Sequence, residues 1–199
     1  MTDDGRFQLL SSPIIIKPKR PSSGKRVVNT TLSELKRVHQ AHTDALKSQV
    51  LIGLKKLTPE GFEIFSKKLL EAYGFEEMQV TSISKDGGID GFGKLKVGLA
   101  YMNIAFQSKR WKTTNIHRTE IDRFRGAIQG KYEQGIFFST SKFSEGSQAA
   151  SFQPGAVPVI MIDGEGIVDL MIKKNFGIEQ EFLPVYSNAL DPILSSDED

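Results

Sequence analysis

The chain has 199 residues, of which 39% are apolar and 9% aromatic, so it can bury the core of one domain but not of two large ones. Its 26 basic and 24 acidic residues leave a net charge of only +2, so binding to a polyanion would depend on where the charges lie. The absence of cysteine excludes disulfide scaffolds, thiol catalysis and cysteine-ligated zinc, and it is typical of a reducing compartment.

The two ends of the chain have the composition of tails. Residues 1–28 are rich in proline, serine and basic residues, which predicts a linker, with a basic phosphate-binding arm as the alternative. Residues 181–199 end in an acidic run and are predicted to be a second tail. The chain opens without a secretion signal, and no apolar run approaches the ~18 residues of a membrane span. We therefore expect a cytoplasmic protein with no membrane partner.

Residues 29–56 are predicted to form an N-terminal helical segment. Thr31 and Glu34 have the spacing of a capping box, which places the start of a helix there. Apolar residues then recur at helical spacing as far as Lys56. The spacing is interrupted between His39 and Thr43, which predicts a break in the helix there. The pattern is compatible with packing on the domain or with pairing to a second chain.

Residues 57–180 alternate between helix-like and strand-like patterns. Pro59 at a first-turn position and an apolar stripe from Phe62 to Tyr73 predict a helix that ends at Gly74. The elements predicted after it are strands at 78–83, 89–96 and 102–109, a helix at 118–131, a strand at 135–139, a helix at 144–152, a strand at 157–162 and a helix at 165–175. This order, α-β-β-β-α-β-α-β-α, predicts an α/β fold with a mixed sheet flanked by helices.

Three polar residues on neighbouring predicted strands can share one site. Gln107 and Lys109 are two positions apart on a strand, so their side chains leave the same face of the sheet. Asp90 opens the preceding strand in a glycine-rich stretch, and a hairpin turn near Gly98 would bring the two strands together. A carboxylate, an amide and an ammonium should then converge. An ordinary turn aspartate is the alternative for Asp90, and it is favoured for the nearby Asp86, which we regard as a reserve ligand only.

These residue types suit a divalent cation. Carboxylate and amide oxygens are the hard ligands that Mg²⁺ prefers, and such a cation lowers the pKa of a bound water and neutralises charge on a phosphate. Lys109 could then orient the water and stabilise the charge that develops on phosphorus. The pattern therefore predicts Mg²⁺, with Mn²⁺ as a substitute, at a site that hydrolyses phosphodiesters.

Four sequence motifs resemble those of one known family. They are the runs Leu57–Glu63, Asp86–Gly91, Phe106–Arg110 and Gly135–Thr140. In this order they resemble the catalytic domain of Mrr-type restriction endonucleases, which belong to the PD-(D/E)XK nuclease superfamily. The resemblance extends over roughly residues 51–174 and implies a restriction-endonuclease-like fold for the domain predicted at 57–180.

The resemblance also implies roles for single residues. Asp90 would be the metal-binding aspartate, Lys109 the catalytic lysine and Glu63 the glutamate of the first helix of the domain. Gln107 stands where the wider superfamily has an acidic residue, so the metal site would have one negative charge fewer and bind more weakly. The backbone carbonyl of Ser108 would supply a further ligand. A solvated edge carboxylate is the alternative for Glu63.

A basic stretch follows the predicted site. Between residues 109 and 131 there are seven basic and two acidic residues, and closeness to the site favours contacts with DNA phosphates over a merely solvated face. The predicted DNA-binding residues are Arg110, Trp111, Lys112, Arg118, Arg123 and Arg125. For Trp111, packing at the end of the sheet is the alternative to stacking on DNA.

The sequence therefore predicts an Mg²⁺-dependent endonuclease of the Mrr-like type that cuts double-stranded DNA, in defence against foreign or modified DNA. Two alternatives stay open: a repair or junction-resolving nuclease on the same fold, and a DNA-binding module without activity. Because few residues precede the predicted domain, three explanations of target recognition stay open: the chain is a fragment of a longer protein, it reads DNA with its basic tail, or it depends on a separate recognition subunit. Because a cut through both strands of a duplex needs two active sites, we also expect a homodimer at the moment of cleavage.

Overall fold

The computed structural model describes residues 24–81, 88–111 and 113–186, with side chains from residue 31 onward. Its elements are helices α1 (Gly24–Leu54), α2 (Pro59–Ala72), α3 (Arg118–Ile128), α4 (Glu145–Ala149) and α5 (Gly164–Lys174), and strands β1 (Phe75–Val80), β2 (Gly91–Val97), β3 (Ala100–Lys109), β4 (Gln134–Ser139) and β5 (Val159–Ile162). The chain divides into two compact units, Met1–Thr43 and Asp44–Asp199, and the elements from α2 onward belong to the second. Most of the two predicted tails lies outside the described residues. None of the described helices is long and apolar enough to cross a bilayer.

Helix α1 is longer and more regular than its sequence predicts. It begins at Gly24 rather than at the predicted cap Thr31, and no proline lies among the intervening residues to interrupt the helix. The end of the predicted N-terminal tail is therefore helical. The predicted break between His39 and Thr43 is also wrong, since the Thr43 hydroxyl donates to the carbonyl of His39 at 3.0 Å and so stays satisfied within the helix.

The sheet is mixed, as the order of the predicted elements indicates. Its five strands lie in the order β1-β2-β3-β4-β5. Strands β1, β2 and β3 are antiparallel neighbours, whereas β3, β4 and β5 run parallel. The turn between β2 and β3 at Gly98 has a φ of +61°, which glycine adopts without strain. Parallel strands need a crossover, and α3 provides the one from β3 to β4.

Strand β1 starts at Phe75, earlier than the alternation of apolar residues predicts. Gly74, with a φ of +90°, ends α2 and turns the chain directly into the strand. A register shift between Glu76 and Gln79, with Glu77 at a φ of 53°, marks a β-bulge. The bulge interrupts the period of two, which is why the alternation misplaces the strand.

Helices cover both faces of the sheet, which confirms the predicted fold class. On one face, α2 packs on β3 and α5 packs on β4 and β5, and Phe62, Ile104 and Phe106 are fully buried there. On the opposite face, which we call the α3 face, Phe124 of α3 packs on Phe137 of β4. Apolar layers on both faces explain why β4 is an unbroken apolar run rather than an alternating strand.

Gly91→Ala should destabilise the domain. A methyl group at Gly91 would collide with the carbonyl of Gln79 and with the ring of Phe106, and overpacking of this kind costs about 1–3 kcal/mol. Gly126→Ala is the matched control, because a methyl group there would meet no atom within 4 Å apart from the backbone of its own helix and its chain neighbours, and alanine should stabilise α3 by about 0.5–1 kcal/mol. Urea unfolding measures both changes. Equal stability of the two variants would contradict the close packing of β1, β2 and β3.

Candidate active site

Asp90 lies directly before β2 and is anchored on the neighbouring strand β3. Its backbone N–H donates to the carbonyl of Phe106 at 3.0 Å, and its carboxylate Oδ2 accepts from the N–H of Ser108 at 2.6 Å. Hydrogen bonds to a charged acceptor are short and strong. The other carboxylate oxygen has no hydrogen-bond partner among the described residues, so Asp90 is held in place with one oxygen left for a ligand.

Gln107 and Lys109 share the α3 face of β3 with Ala105. Gln107 is only 4% exposed, and Gly88 passes so close that a methyl group there would lie 2.9 Å from the Gln107 Nε2. Gly88 also has a φ of +108°, so both its conformation and this contact require glycine. Lys109 is half-buried and forms no salt bridge with a described residue. Its ammonium is therefore available to a ligand.

Helix α2 is held to the same strand by two serines. The Ser108 hydroxyl donates to the Ser66 hydroxyl at 2.9 Å, and Ser66 donates to the carbonyl of Phe62 at 2.8 Å. Ser66 is fully buried and lies one turn after Glu63 on the same side of the helix. This contact therefore determines how Glu63 approaches the end of β3. Sequence reasoning missed Ser66, although a small polar residue in the apolar stripe of α2 was a signal for it.

The two carboxylates of the site are coupled electrostatically. Burial raises the pKa of Asp90 above its ordinary value, although the Ser108 N–H and the Lys109 ammonium act to lower it. Burial also raises the pKa of Glu63, and the negative charge of Asp90 raises it further, with Lys109 in opposition. Glu63, Asp90 and Lys109 therefore lie within electrostatic reach of one another. A further cation would stabilise the charged form of both carboxylates.

The donor set fits a hard cation with few charged ligands. Asp90 offers a carboxylate and Gln107 an amide, and both groups supply the oxygen ligands that Mg²⁺ prefers. In the described part of the chain, no three histidine, cysteine, aspartate or glutamate side chains are grouped so that they could hold a metal. Two partly desolvated carboxylates nevertheless favour a nearby positive charge. The residues present are therefore compatible with a divalent cation.

Two of the predicted DNA-binding residues are exposed on α3. Arg118 pairs with Asp122 at 3.1 Å, and its side chain is still 61% exposed. Arg123 is exposed on the same helix. Lys112 and the reserve ligand Asp86 lie outside the described residues. The exposed charge of the predicted DNA-binding set is thus concentrated on α3.

Arg110 and Trp111 lie where the chain leaves β3, and both turn largely towards the protein. The Nη1 of Arg110 donates to the carbonyl of Lys55 at 3.1 Å, and its buried Nε has no partner within the described part of the chain. Trp111 is half-buried and packs against the core of the α3 face, which agrees with the packing alternative. Neither side chain is a freely exposed phosphate ligand.

Arg125 is not available to DNA. Its side chain is buried, with 5% of the residue exposed. The Nε donates to the carbonyl of Val157 at 3.1 Å, the Nη2 donates to the carbonyl of Ala150, and the Nη1 pairs with Asp122 at 3.1 Å. The prediction that Arg125 contacts DNA is therefore wrong, because the guanidinium instead joins α3 to the segment between α4 and β5.

Comparison with known proteins identifies the family. The family model Mrr_cat, described as "Restriction endonuclease", matches residues 54–171, a span that includes every residue of the candidate site. The chain belongs to the Mrr-type restriction endonuclease family. This membership confirms the resemblance carried by the four sequence motifs.

A curated Mrr-type relative extends well beyond the matched segment. The chain is 35% identical over 154 residues to the type IV methyl-directed restriction enzyme EcoKMrr of Escherichia coli (strain K12), which covers 74% of this chain and 49% of that enzyme. The chain thus spans about half the length of the curated relative that it matches.

Two solved restriction endonucleases are similar in structure. The DNA modification-dependent restriction endonuclease AspBHI aligns with a TM-score of 0.55 and 24% identity, over 66% of this chain and 36% of its own. The MspJI restriction endonuclease in complex with a 27-mer oligonucleotide aligns with a TM-score of 0.46 and 18% identity, over 67% of this chain and 32% of its own. The likeness to AspBHI supports the fold assigned to this Mrr-type domain.

Arg125→Met should destabilise the Mrr-type domain in the absence of DNA. The change removes the donors to two carbonyls, and an unsatisfied buried polar group costs about 1–3 kcal/mol, whereas methionine retains much of the side-chain volume. Arg123→Met, on the exposed side of the same helix, should change stability by less than about 0.5 kcal/mol. Urea unfolding of both variants measures the difference. A wild-type stability for Arg125→Met would contradict its structural role.

Proposed function

We propose that this chain is a metal-dependent endonuclease that hydrolyses phosphodiester bonds in double-stranded DNA. The observation that carries the proposal is the convergence of Asp90, Gln107 and Lys109 where β2 begins and β3 ends. Membership of a restriction endonuclease family and the printed activity of EcoKMrr support it. On the same two grounds, we propose that the substrate is foreign or modified DNA and that the protein acts in defence.

Asp90 and Gln107 would hold the cation, and the backbone carbonyl of Ser108 would add a third oxygen. We favour Mg²⁺, with Mn²⁺ as a substitute, because all of these donors are hard oxygen ligands. When bound, a divalent cation lowers the pKa of a water molecule and neutralises charge on the phosphate. Asp90 is the only charged group among these donors, so binding should be weak and should depend on the scissile phosphate.

Lys109 would act on the reacting phosphate. Its half-buried ammonium forms no salt bridge with a described residue, so it can donate to a phosphate oxygen or orient the attacking water. In a partly desolvated site, its positive charge stabilises the negative charge that develops on phosphorus. Glu63, which is electrostatically coupled to Asp90, would strengthen the negative potential that attracts the cation.

The proposed DNA contacts lie on the side of α3. Arg118 and Arg123 would bind phosphates, and Arg110 and Trp111 would lie near the strand that is cut. Phosphate contacts position the duplex without reading its sequence, so recognition of a target would need another segment or a separate subunit. Cutting both strands would need two sites, as a homodimer supplies.

Asp90→Asn and Lys109→Ala should each slow DNA cleavage by about a hundredfold or more, because each removes a charge that acts on the phosphate or its cation. The measurement is cleavage of methylated and unmethylated supercoiled plasmid with Mg²⁺, with circular dichroism to verify folding. Lys173→Ala, which removes an exposed lysine from α5, is the matched control and should cut like the wild type.

Three outcomes of this assay, extended to Mn²⁺, to DNA binding at several salt concentrations and to branched DNA, would change the proposal. Cleavage at the wild-type rate by either site variant would refute the assigned roles. Salt-sensitive DNA binding with no cleavage by the wild type, in either Mg²⁺ or Mn²⁺, would favour a binding module. Cleavage of branched DNA in preference to linear DNA would favour a junction-resolving nuclease.

Gln107→Glu should tighten metal binding and make stability depend on the metal. Gln107 is buried, so a carboxylate there is costly without a cation and favourable with one. The Mg²⁺ concentration for half-maximal cleavage should fall by about tenfold, because the site gains a charged ligand. The Tm should fall in EDTA and recover with Mg²⁺, as thermal unfolding can measure. If Mg²⁺ shifts the Tm of this variant no more than that of the wild type, Gln107 is not at a ligand position.

A further inference from the structure

A groove opens on the α3 face of the sheet, beside the candidate active site. It has a volume of about 360 Å³, and we call it the β2–β3 groove. Among the side chains that line it are Gln79, Phe92, Lys94, Asn103, Lys131 and Tyr132. None of these residues has a part in the proposed chemistry.

The β2–β3 groove and the active site share one face of the same two strands. Phe92 pairs with Ala105, and Lys94 pairs with Asn103, so these side chains point to the face that also carries Gln107. At about 3.4 Å per residue, the groove lies roughly 7–14 Å from Gln107 along the strand. Helix α3 packs on β4, and the side chain of Asn103 remains exposed. A strand of DNA held at the active site could therefore continue into the groove.

The groove combines three chemistries that recognise a nucleotide. The rings of Phe92 and Tyr132 have centroids 6.2 Å apart and planes inclined by 39°, which forms an aromatic wall for a base to stack on. The side-chain amides of Gln79 and Asn103 make no hydrogen bond within the described part of the chain, so they can pair with the edge of a base. Lys131 forms no salt bridge with a described residue and can contact a phosphate.

A strained residue shapes one wall of the groove. Glu77, at a φ of 53°, lies in the bulge of β1, and its carboxylate pairs with Lys94 at 2.7 Å. This pair neutralises one of the two lysines that line the groove. After the bulge, Gln79 stands opposite Phe92. Bulges are over-represented beside active sites, where they re-aim side chains, so the bulge supports a binding role for this wall.

We propose that the β2–β3 groove binds one unstacked nucleotide of the DNA substrate, on the strand that is cut and roughly 7–14 Å from Gln107 along β3. A base within a duplex cannot enter a groove of this kind, so the nucleotide would be extruded or would lie at an unpaired end. This inference rests on the proposed nuclease function and adds a subsite for the strand that is cut.

Nuclear magnetic resonance of the full chain with a thymidine tetranucleotide tests the groove. Binding should shift the side-chain amide signals of Gln79 and Asn103, while the amide of Gln148, exposed on α4, should not move. Asn103→Ala and Lys131→Ala should each weaken binding by about fivefold to tenfold, because one loses a base contact and the other a phosphate contact. Gln148→Ala is the matched control and should bind like the wild type.

Plasmid cleavage separates this subsite from the nuclease proposal. In Asn103→Ala, KM should rise by the same factor with kcat unchanged, because the groove lies outside the chemistry. Cleavage by the wild type without shifts at Gln79 and Asn103 would overturn the subsite and leave the nuclease proposal standing. Shifts at these residues without any cleavage would support the nucleotide site while the nuclease proposal fails. An equal shift at Gln148 would mean binding over the whole surface, which also overturns the subsite.

Discussion

Ser108 joins the elements of the candidate active site. Its N–H donates to Asp90, and its hydroxyl donates to Ser66 on the helix that carries Glu63. Ser108 thus positions both the loop before β2 and helix α2. Its neighbours in β3, Gln107 and Lys109, point to the opposite face of the sheet. Loss of either bond would leave a buried polar group unpaired, at a cost of about 1–3 kcal/mol. The geometry of the site therefore depends on both the backbone N–H and the hydroxyl of a residue whose side chain faces away from the proposed DNA.

The electrostatics of the site follow from this arrangement. Drawing Asp90 and Glu63 to the end of one strand places two partly buried carboxylates near each other, with Lys109 as the cation that opposes the rise in both pKa values. The other side chain of the proposed metal site, Gln107, is a neutral amide. If the site binds a divalent cation as we propose, it would hold that cation with little ligand charge, and the substrate phosphate would become part of the metal site. Chemistry and DNA binding would then be linked.

The positions of the basic residues, rather than the net charge of the chain, distinguish those with a structural role from those that could contact DNA. The basic stretch after β3 looks uniform in sequence, yet Arg125 is buried in a network of backbone carbonyls and Arg118 is exposed on the same helix. Lys131, at the end of that stretch, borders the β2–β3 groove. Within the part of the chain that the structure describes, the near-neutral protein therefore presents a local positive surface along part of the α3 face.

The sequence by itself determined the mixed sheet, the order of its elements and the face that Gln107 shares with Lys109. Strand periodicity and a glycine turn are local properties, so they specify which side chains lie together on a hairpin. The start of α1 and the bulge in β1 escaped prediction, because a capping motif can lie inside a longer helix and a bulge breaks the period of two. Only the tertiary structure decided the burial of Arg125, the contact of Ser66 with Ser108 and the existence of the groove. These features depend on packing between residues far apart in the chain, and no local pattern encodes such contacts.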